Sequence, residues 1–295
     1  MTSVFKFGGT SVKDGKCIRH VAKLVEAYRK EHLVVVCSAL DGVTDELILL
    51  SEDARKGTER PVEERLRRLR VIHERVLRQT LRQQQSRRRA ARFLAPTLDQ
   101  LERTARGAAT LRELTPRSKD LILSSGERMS TPIVAGALSE VGLKADYLTG
   151  GEAGVITDDN FGDAMPLVET SKLQIQQTLG PMVESGRIPV VAGYIGLTQT
   201  GDLTTLGRGG SDFTATLIAS ALIADEVWIW SDVDGLMTAD PRIVKDARLL
   251  KQVSYSEAGE MAVLGAKALH PRTLEPVAEL GIPDRFTNTL NPRNE

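Results

Sequence analysis

Five consecutive apolar residues, Leu33-Val-Val-Val-Cys37, constrain the fold of this chain more than any other feature. A strand with one solvent face alternates apolar and polar residues. An unbroken run of strand length is buried on both faces, as in a parallel sheet covered by helices. The neighbouring sequence agrees. Residues 4–7 read as a short strand entering a Gly8-Gly9 turn, and 14–30 as a helix with Ile18, Val21, Ala22, Val25 and Tyr28 on one face. After the apolar run come the loop 38–42 and another helix from Thr44. This strand–helix–strand–helix order predicts an α/β sheet with right-handed crossovers.

The region 57–117 breaks the alternation. It is rich in Arg, Leu, Gln and Ala, is punctuated by Pro61, Pro96 and Pro116, and reads as a helical excursion. The alternation resumes with Leu121-Ile-Leu in the strand position, a helix over 127–141 and a strand over 145–148. Ile188-Pro-Val-Val-Ala-Gly193, a helix over 211–224 and Val227-Trp-Ile-Trp-Ser231 follow, with Trp228 and Trp230 as packed strand residues. No repeat or low-complexity linker divides the 295 residues, which read as one domain.

Net charge is zero, but residues 55–92 hold 14 Lys/Arg against 4 Asp/Glu. Stacking aromatics are missing from this tract apart from the adjacent Phe93. Leu66, Leu69, Ile72, Val76 and Leu77 recur at helical spacing, so the charge reads as the solvated face of an amphipathic helix pair rather than a nucleic-acid footprint. Cys17 and Cys37 make no metal-ligand spacing and no disulfide framework. With no signal-peptide core at the start and no membrane-spanning run, the expectation is a cytosolic protein without membrane contact.

Packing does not call for Thr204-Thr-Leu-Gly-Arg-Gly-Gly-Ser-Asp212. Three glycines surround one arginine and a helix begins directly after them. That arrangement delivers backbone N–H groups, a helix N-terminus and a guanidinium to one place, where phosphate or carboxylate binds. It is not a P-loop, since no Gly-Lys-Ser/Thr follows. Lys6-Phe-Gly-Gly-Thr-Ser11 forms a second such turn. Ligands of open α/β sheets lie beyond the carboxyl ends of the strands. Lys6, Ser38, Gly193 and Ser231 all fall at or just past such ends, which already suggests a phosphate-handling enzyme.

At this point the chain resembles the amino acid kinase family, and within it the aspartokinases. The segments that carry the likeness are 6–11, Ser-Ala-x4-Thr (38–44), Ser-x-Gly-Glu-Arg (124–128), Phe-Gly-x-Ala (161–164) and Gly-Tyr-x-Gly (193–196). They continue through 204–212, Ser-Asp-Val-Asp-Gly (231–235), Thr-Ala-Asp-Pro-Arg (238–242) and Gly-Ala-Lys-x-Leu-His-Pro-Arg-Thr (265–273), in family order over nearly the whole chain. The resemblance implies a three-layer sandwich, with a mainly parallel central sheet, helices on both faces and the helical excursion. One catalytic domain then covers 1–295, with 57–117 as its insertion.

The activity implied is ATP-dependent phosphorylation of the side-chain carboxylate of L-aspartate, first step of the aspartate-derived amino-acid pathway, with Mg²⁺ accompanying ATP. The resemblance assigns Lys6 and Asp212 to catalysis. Lys6 reaches the transferring phosphoryl group, and Asp212 organises the lysine. It places Ser38, Thr44, Glu127, Tyr194, Arg208 and Ser211 around aspartate, with Arg208 on the α-carboxylate and Glu127 on the α-ammonium. ATP falls to Lys6, Gly8, Gly9, Thr10, Ser11, Gly209, Gly210, Ser231, Asp232, Met237, Arg242 and Lys267. No protein ligand for the metal is named, and His270 reads as structural.

Tyr194, Ser231 and Met237 depart from the residues usual in aspartokinases. So does Ile282-Pro-Asp-Arg-Phe286, which predicts a final strand that is short or at an edge. The sequence stops at Glu295 where most aspartokinases continue into ACT-type regulatory domains. The expectation is a catalytic-only chain that forms a homo-oligomer, with any such domains on a separate regulatory subunit. Two alternatives stand beside the main reading. One is a kinase of the same fold acting on glutamate, N-acetylglutamate or carbamate; the other is a catalytically inert binding partner.

Overall fold

The structure of the protein is a computed structural model that describes residues 1–29, 31–239, 243–263 and 271–292. Strand β1 (Thr2–Phe7) passes through a 3-10 turn (Gly9–Val12) into helix α1 (Gly15–Tyr28), strand β2 (His32–Cys37) and helix α2 (Val43–Lys56). Asp14 caps α1 by accepting the Cys17 N–H at 2.8 Å. Helices α3 (Glu59–Thr80) and α4 (Gln84–Leu111) form the excursion, followed by α5 (Pro116–Leu123), α6 (Ser125–Glu140) and β3 (Ala145–Thr149). Next come β4 (Ile156–Thr157), α7 (Val168–Glu184), β5 (Ile188–Ala192), β6 (Ile195–Thr198) and β7 (Leu203–Thr205). The chain continues through α8 (Gly210–Ala221), β8 (Glu226–Ser231), α9 (Tyr255–Val263), α10 (Pro271–Ala278) and β9 (Asp284–Asn288).

Among the described residues the main sheet has six parallel strands in the order β3-β5-β2-β1-β8-β9. Successive strand residues point to opposite faces, and each face has its own core. Phe5, Phe7, Leu33, Val35 and Trp230 pack toward α1, α6 and the excursion. Val4, Val34, Val36, Val227 and Ile229 pack toward α7, α8 and α10. Trp228 and Trp230 stack at 5.5 Å on the first face, among Phe5 and Tyr28, as strand residues.

The excursion is the amphipathic pair its spacing predicts. Leu66, Leu69, Val76 and Leu77 are buried with Leu94, Leu98 and Leu101. Part of its charge is matched, by Arg65 with Glu46 and Asp53 of α2 and, within the excursion, by Arg70 with Glu102 and Arg106 with Glu63. Pairs of this exposure stabilise weakly, but they leave fewer arginines free for an external anion.

Two elements differ from the sequence reading. Leu121-Ile-Leu is not a strand but the end of α5, because Thr115 caps that helix by accepting the Ser118 N–H and Pro116 occupies its first position. A second sheet, β4-β6-β7, was not foreseen; β6 and β7 pair antiparallel and β4 joins β6 in parallel. Strand β9 is the edge strand expected for Asp284-Arg285. Its arginine bonds Glu226 at 3.0 Å and lies over Trp228.

Candidate active site

The strand ends lie level with one another. Phe7 is in register with Cys37 and Trp230, and Cys37 with Ala192. Loops leaving β1, β2, β5 and β8 therefore start from one rim. Lys6 points to the same sheet face as Val4, toward α8, and its ammonium meets Asp212 Oδ1 at 2.5 Å. Asp212 stands in the first turn of α8, whose N-cap is Gly209, so the acid is not itself the cap. The lysine is 8 % exposed, and so little exposure requires a partner charge.

Both glycine turns carry free donors. Among the described residues, the N–H groups of Gly9 and Thr10 at the first turn, and of Gly209, Ser211 and Asp212 at the second, make no hydrogen bond. A Cβ on Gly9 would stand 3.1 Å from the Ala39 carbonyl oxygen, so this glycine serves close approach. Gly207 and Gly209 have φ of 70° and 73°, so in the second turn glycine supplies the left-handed backbone. Ser11 is different from its neighbours. Its hydroxyl bonds the Trp230 carbonyl at 3.3 Å and shares a 2.6 Å bond with Thr289, engaged inside the fold.

Glu127 is expected on the acceptor side. Helix α6 starts close against the loop after β2, where a Cβ on Gly126 would fall 2.7 Å from Ala39 Cβ. Ser130 Oγ donates to the Ser38 carbonyl at 2.8 Å and fixes the same contact. Glu127 is buried there. Burial pushes its carboxyl up to about 8, against the opposing pull of the Ala39 N–H and the Lys6 charge. Thr44 is half-buried in the first turn of α2. Gly193 lies against Ser211, whose Oγ would be 2.9 Å from a Cβ at that glycine. Tyr194 has φ of 69°, a strained conformation for a tyrosine, and is held by its N–H bond to Thr214 Oγ1 at 3.1 Å. Arg208 is exposed and makes no hydrogen bond or ion pair among the described residues.

Of the residues expected at the nucleotide, Ser231 Oγ accepts the Val233 N–H at 3.3 Å, and the Asp232 carbonyl accepts from Asn288 Nδ2 at 3.4 Å. Met237 bridges to Leu249. Arg242, Lys267 and His270 lie outside the described residues.

Sequence reading missed three residues. Asp120 is buried; its carboxylate accepts the N–H groups of Gly162 and Thr205 and the Thr205 hydroxyl. Asp163 and Arg272 pair at 2.8 Å behind the second turn. The last two lie inside segments that resemble the family, but only tertiary structure gives them a task.

The amino acid kinase family matches residues 1–288. Aspartokinase 1 of Arabidopsis thaliana, chloroplastic, is 36% identical over 296 residues, covering 99% of this chain and 51% of the relative. The aspartokinase of Geobacillus stearothermophilus is 36% identical over 275 residues, 92% of this chain and 52% of the relative. E. coli aspartokinase III in complex with aspartate and ADP superposes with a TM-score of 0.90 at 35% identity, covering 99% of this chain and 63% of that one. The chain thus spans about half the length of the curated relatives it matches.

Proposed function

The chain belongs to the amino acid kinase family, and on that premise we propose that it transfers the terminal phosphoryl group of ATP to the side-chain carboxylate of L-aspartate, giving 4-phospho-L-aspartate. One observation carries the reading. The Lys6–Asp212 pair, the buried Glu127 and Arg208, which pairs with nothing among the described residues, stand at one end of the sheet with two glycine turns whose N–H groups are free among the same residues. The aspartate and ADP bound in the E. coli relative support it.

A carboxylate is already a nucleophile at neutral pH, so the reaction needs no base. It needs two anions brought together and the charge of the transferring group neutralised. Lys6 supplies a cation held in place by Asp212. The turn at Gly9-Thr10 offers N–H groups to phosphate oxygens, and the start of α8 offers more. Arg208 grips the α-carboxylate with two parallel bonds. Glu127 takes the α-ammonium, and Ser38, Thr44, Tyr194 and Ser211 close the amino-acid side. Ser231, Asp232, Met237, Arg242 and Lys267 belong to the nucleotide side.

Mg²⁺ accompanies ATP in this proposal. Asp212 is engaged by Lys6, and the ion would be held mostly through phosphate oxygens and water, where it would neutralise charge. The proposal extends to one catalytic unit over 1–295, with 57–117 as its insertion, in the cytosol and as a homo-oligomer. Unpaired Cys17 and Cys37 support a reducing compartment.

The deciding experiment is ATP turnover with L-aspartate, trapping the acyl phosphate as its hydroxamate. Parallel assays with glutamate, N-acetylglutamate and carbamate cover the alternative acceptors, and an inert protein would turn over none. N-acetylglutamate has no ammonium for Glu127 and is expected to be a poor acceptor.

The raised Glu127 pKa predicts a pH dependence. Below about 8 the empty site holds a proton on this carboxyl, and that proton must leave before the ammonium can pair with it. Affinity therefore weakens as pH falls: the KM for aspartate should drop by up to about tenfold per pH unit on going from about pH 6 to 8, then level off. Glu127→Gln should raise the KM and flatten the profile. A flat wild-type profile, or an equal slope in the variant, would remove Glu127 from this role.

A further inference from the structure

Phe-Gly-x-Ala at 161–164 and the Pro-Arg-Thr that ends the 265–273 segment make no contact with the acceptor or nucleotide in the chemistry proposed for the site. The fold brings them together behind the second glycine turn. A Cβ on Gly207 would fall 2.2 Å from Asp163 Oδ1, so that carboxylate lies directly against the backbone of the turn. The same oxygen accepts from Arg272 Nη1 at 2.8 Å, while Arg272 Nη2 contacts Met165 Sδ. The guanidinium also lies 5.8 Å from the ring centroid of Phe213, the residue after Asp212. One side chain at the start of α10 thus touches both the loop behind Gly207 and the first turn of α8.

The far side of that loop is tied down separately. Asp120 takes the Gly162 N–H at 3.0 Å, and Ala164 N–H donates to the Thr205 carbonyl at 3.0 Å. The turn itself is closed by the Gly210 N–H on the Gly207 carbonyl at 3.1 Å and joined to α8 by the Phe213 N–H on the Gly209 carbonyl at 3.0 Å, but its two glycines have left-handed backbone and Arg208 bonds nothing among the described residues.

We propose that Asp163 and Arg272 are a positioning pair that sets the Gly207–Gly209 turn, aiming Arg208 at the acceptor carboxylate and keeping Asp212 against Lys6. The proposal deepens the aspartate kinase reading and, for its kinetic arm, rests on it. Asp163 is largely exposed and Arg272 largely covered. An ion pair of this exposure adds little to global stability, so its loss registers in local geometry rather than in melting.

The test uses Asp163→Asn, Arg272→Gln, Arg272→Lys and the Asp163→Asn/Arg272→Gln double variant. Hydrogen–deuterium exchange of the unliganded protein reads the turn without any substrate. In peptides spanning 204–212, the hydrogen-bonded amides of Thr205, Leu206 and Gly210 should exchange at least about fivefold faster in each single Asn or Gln variant, with Arg272→Lys between them and wild type. Because the two residues act through one contact, the double variant should be no faster than the worse single. In turnover, the KM for aspartate should rise about five- to tenfold in both singles, with the KM for ATP within about twofold, since a small misplacement of a positioning group has effects of this order.

Unchanged exchange at 204–212 in both singles, or additive effects in the double variant, would overturn the pair. So would a KM shift confined to ATP. If wild type fails to turn over aspartate, the kinase reading falls and the exchange data alone decide the pair. If Arg272→Gln does not fold, Asp163→Asn at an exposed position decides it.

Discussion

Lys6→Met is expected to reduce turnover by about 10²–10³-fold, the loss that follows removal of one preorganised charge from a transition state. Methionine keeps the length and apolar stem of lysine, and β1 keeps its backbone pairing to β2 and β8 on both sides. The fold should survive. Asp212, released from its cation, is partly exposed and can turn to water. The measurement is kcat by hydroxamate trapping, beside circular dichroism and a melting curve on the same preparation. A variant that keeps more than about a tenth of wild-type turnover would place Lys6 outside the transition-state contacts.

Arg208→Lys is expected to raise the KM for aspartate about 10–100-fold, because a hydrogen bond to a charged group is worth about 1.5–3 kcal/mol and lysine loses the two-point fork. The KM for ATP should change little. Arg208 bonds nothing within the described residues, so its replacement leaves no buried partner stranded, and the melting temperature should not move. That separation makes the variant informative. An unchanged KM for aspartate with a raised KM for ATP would move the guanidinium to the nucleotide side.

What the sequence discloses depends on whether the controlling interaction is local. Leu33–Cys37 announces a doubly buried strand because five residues in a row avoid polarity, and the glycines at 207 and 209 announce an unusual backbone. Leu121-Ile-Leu misleads because three apolar residues fit either period, and its helical state is set earlier, by Thr115 and Pro116. The small sheet escapes because its strands are two to four residues long, too short for alternation to register. Asp120 and Asp163 escape for a deeper reason. Their partners lie 42 to 109 residues away, a distance over which no spacing rule operates. Tyr194 is expected beside the acceptor through the family likeness, but its left-handed backbone, with the N–H bonded to Thr214, shows only in the fold.

The level strand ends have one more consequence. From the end of β5, where the proposal puts the acceptor, to the end of β8, where it puts the nucleotide, the rim crosses β2 and β1. With neighbouring strands about 4.8 Å apart, that is a span of about 14 Å laid down in backbone hydrogen bonds. In the proposed reaction the sheet would act as a ruler between the loops that hold donor and acceptor, graduated in peptide groups rather than in side chains. A core substitution under α3 or α4 would alter how long the molecule survives heating. It would leave the spacing of the strand ends where the ladder put it.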